Sequence, residues 1–340
     1  MLLNSTGMPD GYSVYSHQVA GHRFETGKQG MLLDNNGRIL KPIQTPPRGK
    51  KEVEFYQTVF GCEFNESIAK LRQFVPTFYG IEHVALPKLS QGDDNYIILE
   101  NLTSTLRRPC ILDIKIGQRV TDHFATKAKQ ERAVKKYPEQ EKFGFRILGM
   151  KVYQKSTQNF ISYDKEFGKR LKTQDEILTG LATFFQMGDH GKEHVEEFLL
   201  HLEEIYKWCQ DQRIFRLFSS SILLMYEGDT LQTCTHNEVV KDLENDCNGQ
   251  EHYEHFVCSS TPSIKCKSEK INSFDQHVCT RNEPLSLFER SKKHSVHKVI
   301  VKMVDFAHTD IGNFDEPDIN YMYGINNLIY YMQQLIIGNS

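Results

Sequence analysis

Pro109-Cys110-Ile111-Leu112-Asp113-Ile114-Lys115-Ile116-Gly117 is an apolar run that carries an aspartate and a lysine two residues apart, between a proline and a glycine. If it forms a β-strand its side chains alternate, so Asp113 and Lys115 share one face. Opposite charges on an otherwise buried strand are costly unless that face lines a polar cleft. Two readings fit this local pattern: a structural ion pair at a sheet edge, or two working groups in a site.

The rest of the chain bounds the choice. Its 340 residues, 39% hydrophobic and 25% charged, suit an ordinary globular protein of one large domain or two lobes. A formal net charge of −3 gives no whole-protein pull toward nucleic acid or a membrane surface, so any anion site must be a local basic patch. No apolar run approaches the roughly 20 residues of a transmembrane helix. The first residues, Met1-Leu2-Leu3-Asn4, are too polar for a secretory signal, and the expected location is nucleus and cytoplasm. The 8 cysteines contain no CxxC pair, consistent with reduced thiols.

Outward from the central run, residues 19–43 read as a hairpin or meander, with Asp34-Asn35-Asn36-Gly37 as the reversal and Lys41 at the end of a strand. Pro46-Pro47-Arg48-Gly49 precedes a helical segment carrying Glu52, and Tyr96–Leu99 reads as a buried strand. Phe124–Tyr137 is helical and basic, and Phe143–Tyr153 reads as strand. Thr173 and Glu176 form a capping-box pair before a helix with Gly188 as its stop, and a long amphipathic helix follows. Phe215–Tyr226 is expected as one strand, and Val299–Phe306 as a strand ending in an acid. Residues 229–295 lack periodicity and are expected to be a long disordered insertion. Their His252, His255 and Cys258 match no standard zinc spacing. Strands dominate early and helices later, so the expectation is an α+β protein of two lobes.

Three features fit one chemistry. Lys41 ends a strand, Glu52 lies on the next helix, and Asp305 closes a late apolar strand. Phosphoryl transfer of the kinase type needs a lysine on the nucleotide phosphates, a carboxylate to orient it and an acid for magnesium, in this chain order. Lys129, Arg132 and Lys136 follow i, i+3, i+7 spacing and share a helix face, beginning shortly after Lys115. Several cations converging on a small volume suit a ligand with several phosphates. No aromatic platform accompanies them, so nucleic acid is not expected. Gly21 to Lys28 is not a P-loop, because five residues separate its glycines and no hydroxyl follows the lysine.

At this point Pro109-x-x-x-Asp113-x-Lys115-x-Gly117 resembles the PxxxDxKxG signature of the inositol polyphosphate kinases. Ser220-Ser221-Ile222-Leu223 is similar to the family's Ser-Ser-Leu-Leu element, and Val304-Asp305-Phe306-Ala307-His308 to its Ile-Asp-Phe motif. The resemblance runs from about Val19 to Leu335 and leaves the insertion unmatched. It implies a two-lobed, protein-kinase-like α+β fold. Residues 1–106 would be a nucleotide-binding N-lobe and 107–340 a C-lobe, with a small helical inositol phosphate-binding segment at 118–172. Only 26 residues separate Gly117 from Gly144, a compact lid that implies the broad-specificity branch of the family. Relatives confined to 3-phosphorylation of inositol trisphosphate carry a longer lid. A trisphosphate 3-kinase, an inositol hexakisphosphate kinase and a non-enzymatic inositol phosphate-binding scaffold are the rival readings.

By that resemblance the reaction takes ATP and Mg2+, with Asp113 and Lys115 as catalytic residues. Lys41, Glu52, Glu100, Leu102, Asp113 and Asp305 would serve the nucleotide, Glu100 and Leu102 through hinge backbone groups and Asp305 as the magnesium ligand. Arg48, Lys115, Lys129, Arg132, Lys136, Lys165 and His308 would face the acceptor. Some relatives carry glutamine where Arg132, Ala133 and Lys165 stand, which bears on substrate preference and not on the reaction. The implied partners are soluble inositol phosphates, with phosphoinositide headgroups as a further acceptor class, and a monomer is expected.

Overall fold

A computed structural model describes residues 8–21, 29–62, 65–85, 94–187, 191–229 and 298–338. The expected disordered insertion, its His and Cys residues, and the helix stop at Gly188 lie outside the described residues, apart from Asp229. The described residues belong to one compact unit, assembled from the segments before Leu231 and after Arg290.

Two five-stranded antiparallel sheets organise it. The first takes β1 (Tyr12–Val14), β2 (Leu32–Asp34), β3 (Ile39–Pro42), β4 (Phe78–His83) and β5 (Asn95–Leu99), in the order β1-β2-β3-β5-β4. The β2–β3 reversal is the expected one: Asp34 Oδ1 accepts the N–H groups of Asn36 and Arg38 at 2.9 and 2.8 Å, and Gly37 takes a φ of +74°. Helix α1 (Arg48–Phe60) packs beside this sheet, followed by the short α2 (Glu66–Leu71). Gly49 is required at the start of α1, because a Cβ there would sit 1.9 Å from the Gln44 carbonyl oxygen.

The second sheet is built on β6 (Pro109–Ile116), the quoted run, which occupies its centre. Helices α3 (Lys127–Lys136) and α4 (Gln140–Phe143) lead into β7 (Phe145–Gln154) and β8 (Asn159–Tyr163). Next come α5 (Lys165–Arg170), α6 (Gln174–Phe185), α7 (Gly191–Asp211), β9 (Phe215–Leu217) and β10 (Ser221–Glu227). After the undescribed stretch come β11 (Val299–Val304), β12 (Thr309–Ile311) and α8 (Ile319–Ile337). The order is β11-β10-β6-β7-β8, and β9 pairs separately with β12. α6, α7 and α8 cover one face with buried residues such as Leu181, Phe198, Leu202, Trp208, Ile325 and Leu328. Thr173 and Glu176 make the expected capping box at the start of α6.

Two strand expectations are corrected. Phe215–Tyr226 is not one strand, because Ser219 takes a left-handed φ of +59° and splits it into β9 and β10, which pair with different partners. β11 stops at Val304, and Asp305 lies just past it with a φ of +65°. Both strained residues border the cleft described next.

Candidate active site

The cleft-facing side of β6 carries Asp113 and Lys115, as alternation requires. Gly117 ends the strand at a φ of +108° and donates its N–H to the Gly144 carbonyl at 2.7 Å, and a Cβ there would meet Asn320 Nδ2 at 2.8 Å. That conformation and the close approach account for the motif glycine. Asp113 and Lys115 do not form the structural ion pair. Lys115 Nζ instead donates to the carbonyl and hydroxyl oxygens of Ser219 at 2.8 and 2.7 Å. Asp113 is buried, and its Oδ1 has no hydrogen-bond partner. Burial, followed by the charge of Asp305, pushes the Asp113 carboxyl up from its ordinary value. Burial pulls the Lys115 ammonium down, and Asp305 and Asp113 offset only part of that.

Lys41 on β3 meets Glu52 on α1 and Asp305 past β11. Its Nζ donates to Glu52 Oε1 at 2.6 Å and to Asp305 Oδ1 at 2.5 Å. Burial alone would lower the Lys41 pKa, but Asp305 and then Glu52 raise it above the ordinary lysine value. Enclosure by the cleft works to raise the Asp305 carboxyl, and Lys41 outweighs it, holding it below the usual carboxylate range. The aromatic residue after the acid explains how Asp305 is held. Phe306 is fully buried and stacks on Phe55 of α1 with ring centroids 3.7 Å apart, while its N–H donates to Glu52 Oε1 at 3.3 Å. Glu52 is 0% exposed, so Lys41→Met would strand a buried carboxylate. We expect it to cost about 3–5 kcal/mol in urea unfolding, with Glu52→Gln in the same chain recovering part of the loss. A single variant as stable as the parent would contradict this.

Two adjoining cavities share Lys115, Ser219, Asp305 and His308 as walls. The smaller, about 380 Å³, has an apolar slot of Ile39, Leu99, Leu102, Ile111, Leu223 and Met225 beside Lys41 and Asp113. Glu100 uses its N–H and carboxylate on Thr77. Among the described residues no protein partner takes its carbonyl or the Leu102 N–H, and both residues line this slot.

The larger cavity, about 1400 Å³, exceeds the roughly 300–1,000 Å³ of pockets for drug-sized ligands. Lys129, Arg132 and Lys136 line it from α3, with Lys165 at the start of α5 and Arg48 at the start of α1. Seven lysines and arginines face two carboxylates there, Asp164 and Asp305, although the whole chain is acidic.

Every site residue expected from the sequence therefore borders one of the two cavities, except Glu52, which stands behind Lys41. Sequence reading missed Arg146 on β7, Asp122, Ser219 and the Val19–Gly21 wall. Asp122 Oδ2 lies 3.1 Å from His308 Nδ1 and so orients the imidazole. The basic cavity itself was signalled by the helical spacing of its α3 cations.

Comparison with known proteins agrees with this geometry. A family model described as "Inositol polyphosphate kinase" matches residues 96–333. Human inositol polyphosphate multikinase is 30% identical over 94% of this chain and 88% of its own length. Human inositol hexakisphosphate kinase 3 is 27% identical, over 72% of this chain and 52% of its own length. The crystal structure of Saccharomyces cerevisiae inositol phosphate multikinase Ipk2 in complex with ADP and Mn2+ has the same fold, with a TM-score of 0.56 at 21% identity over 88% of this chain and 99% of that chain. With the signature strand, the two-sheet fold and the matched span in agreement, the chain belongs to the inositol polyphosphate kinase family.

Proposed function

We propose that the chain is an inositol polyphosphate multikinase, moving the γ-phosphoryl of ATP to hydroxyls of inositol 1,4,5-trisphosphate and then of tetrakisphosphates, to give the pentakisphosphate. One observation carries the reading: Lys115 and Asp305 stand on the wall between an apolar slot and a strongly cationic cavity, with Asp113 beside them on the slot side. A nucleotide base suits the slot, with the Glu100 carbonyl and Leu102 N–H as hinge groups. A polyphosphorylated ring suits the cavity, and the transferred group passes over Lys115. The relatives that match most of this chain bear the multikinase name, whereas the hexakisphosphate kinase matches a smaller share.

In the transfer the acceptor hydroxyl oxygen bonds to the γ-phosphorus and gives up its proton, while the bond to the β,γ-bridging oxygen breaks and ADP leaves. The transition state is loose, so positioning and charge stabilisation supply most of the acceleration. Lys41, braced by Glu52, and Lys115 neutralise the phosphoryl oxygens. Asp113 lies toward the nucleotide, near the ribose or the reacting hydroxyl.

The residues fit a divalent cation, Mg2+ in our reading. Asp305 offers hard oxygen donors at the cleft, and the unpartnered Oδ1 of Asp113 lies on the same wall. Among the described residues no group of three or more His, Cys, Asp or Glu forms a metal cage, and a phosphate-bridging magnesium needs only one or two carboxylates. When bound, such an ion neutralises charge on the β- and γ-phosphates. The lobe boundary we place at 106/107 is supported by the first sheet ending at Leu99 and the second starting at Pro109.

Acceptor-dependent ADP formation tests the kinase reading, since a scaffold would bind the trisphosphate and release no ADP. Lys129→Ala or Arg132→Ala should raise KM for the inositol phosphate about tenfold and leave KM for ATP unchanged. A change confined to ATP would contradict the placing of α3.

A further inference from the structure

Behind the hinge, apart from the acceptor cavity, lies a further cavity of about 360 Å³, close in volume to the nucleotide slot. The turn at 100–105 forms one wall, α7 adds His201, Glu204 and Ile205, and residues 299–302 of β11 form another. β11 is the outermost strand of its sheet, and its edge is closed by residues 73–75: Met303 donates its N–H to the Phe74 carbonyl at 2.7 Å. The same segment engages Lys302, whose Nζ donates to the Gln73 and Val75 carbonyls at 2.8 and 3.3 Å. An ammonium has three donors, so one is left over, and among the described residues no carboxylate lies within ion-pair distance of it. Burial lowers the Lys302 pKa, and Glu100 offsets only part of that, its carboxylate being engaged by Thr77. Asn101 spends its Oδ1 on the N–H and hydroxyl of Thr103 at 3.1 and 2.8 Å. Among the described residues its amide N–H groups and the hydroxyls of Ser104 and Thr105 have no partner, and all three residues line the cavity.

Only a thin partition separates this cavity from the slot. Glu100 and Leu102 line both. Leu102 and Ile300 pack in one apolar cluster with Ile111, Leu223 and Met225, which line the slot. In the β10–β11 register Ile300 stands opposite Met225 and Lys302 opposite Leu223, and cross-strand partners share a face. The two cavities therefore lie side by side on one face of the second sheet, with the hinge between them. We propose that the cavity behind the hinge is a second ligand site, for a small organic monoanion with an apolar body, and that its occupant tightens nucleotide binding by bracing the hinge. The charge balance selects the ligand. One uncompensated ammonium faces a wall that also carries Glu204, whose Oε2 lies 4.0 Å from His201 Nδ1, whereas seven lysines and arginines line the acceptor cavity. A polyphosphate would find too few cations here, while one carboxylate matches Lys302 and has amide and hydroxyl donors beside it. Phe74, Ile205 and Val301 offer apolar surface to the rest of such a ligand. Its body would back the Leu102 and Ile300 side chains and hold the turn that presents the hinge groups. Coupling of this kind is reciprocal, so nucleotide tightens the anion by the same factor.

The test titrates the full chain with 3-phenylpropionate and with the uncharged 3-phenylpropanol, followed by ligand-observed NMR. The acid should bind with a Kd of about 1 mM, and the alcohol about tenfold or more weakly. Lys302→Met should remove that preference. At saturating acid the Kd for ADP should fall about fivefold in the parent and stay unchanged in the variant. Equal binding of the two compounds, or a preference that survives in Lys302→Met, would overturn the site. Weaker ADP binding would also overturn it, by placing the acid in the nucleotide slot, and unchanged ADP binding would overturn the bracing of the hinge. Should Lys302→Met fail to fold by thermal unfolding, Ser104→Trp fills the cavity from an exposed position. It should abolish binding of the acid, and binding as in the parent would overturn the proposal. If the parent binds no ADP at all, the kinase reading itself fails, and the comparison of acid with alcohol decides the anion site alone.

Discussion

Lys115→Ala should lower kcat by at least about 10²- to 10³-fold while nucleotide binding and the folded state survive. Its ammonium sits on the wall shared by both cavities, where the migrating phosphoryl must pass, and two Ser219 oxygens at 2.8 and 2.7 Å hold it there. The rigid anchoring means that little reorganisation is needed as charge develops on the transferring group. The fold should tolerate the loss, because burial opposes the charged form of Lys115 and the cavity admits water to the freed Ser219 oxygens. Steady-state kinetics, ADP titration and a thermal melt together check the prediction. Wild-type-like turnover would refute the role, and a collapsed melt would refute the claim that the role is chemical.

Asp305→Asn should lower kcat/KM by about 10³-fold or more and make nucleotide affinity independent of the divalent cation. The carboxylate is tied to Lys41 through one oxygen and its side chain is 42% exposed toward the cleft, where a metal ligand belongs. Lys41 keeps Glu52 as its buried partner in the variant, so no large stability loss is expected at neutral pH. The acid side should differ. Asp305 is held below its ordinary pKa, so in the parent its contribution is present above the usual carboxylate range and is lost as pH falls through its folded pKa. The amide that replaces it has no proton to take up, so that part of the acid-side slope should disappear. ADP titrations with and without Mg2+, and urea unfolding at several pH values, measure both effects. Cation-dependent ADP binding that survives in the variant would remove Asp305 from the metal.

What could be read from the sequence depended on whether a residue's role was local. Asp113 and Lys115 stand out because charge in an apolar strand needs a reason, and Lys129, Arg132 and Lys136 because helical spacing puts them on one face. The hairpin turn and the α6 capping box are likewise local chemistry. Arg146 was missed because Phe145-Arg146-Ile147 looks like any strand with one charged face. Its direction follows only from its register with Lys115, 31 positions earlier. Asp122 is similar, since its partner His308 is separated from it by 186 positions. Ser219 breaks β9 from β10 with no glycine or proline to announce it, because its backbone is set by tertiary packing. β1, β9 and β12 are three residues each, too short for periodicity to reveal.

The multikinase assignment itself is tested most directly by the products. The full chain is incubated with ATP and inositol 1,4,5-trisphosphate, and the inositol phosphates are resolved by isomer-specific chromatography over time. The open, cation-lined cavity predicts a tetrakisphosphate that rises and then declines as a pentakisphosphate accumulates. A single tetrakisphosphate that persists as the end point, with ATP still present, would contradict it.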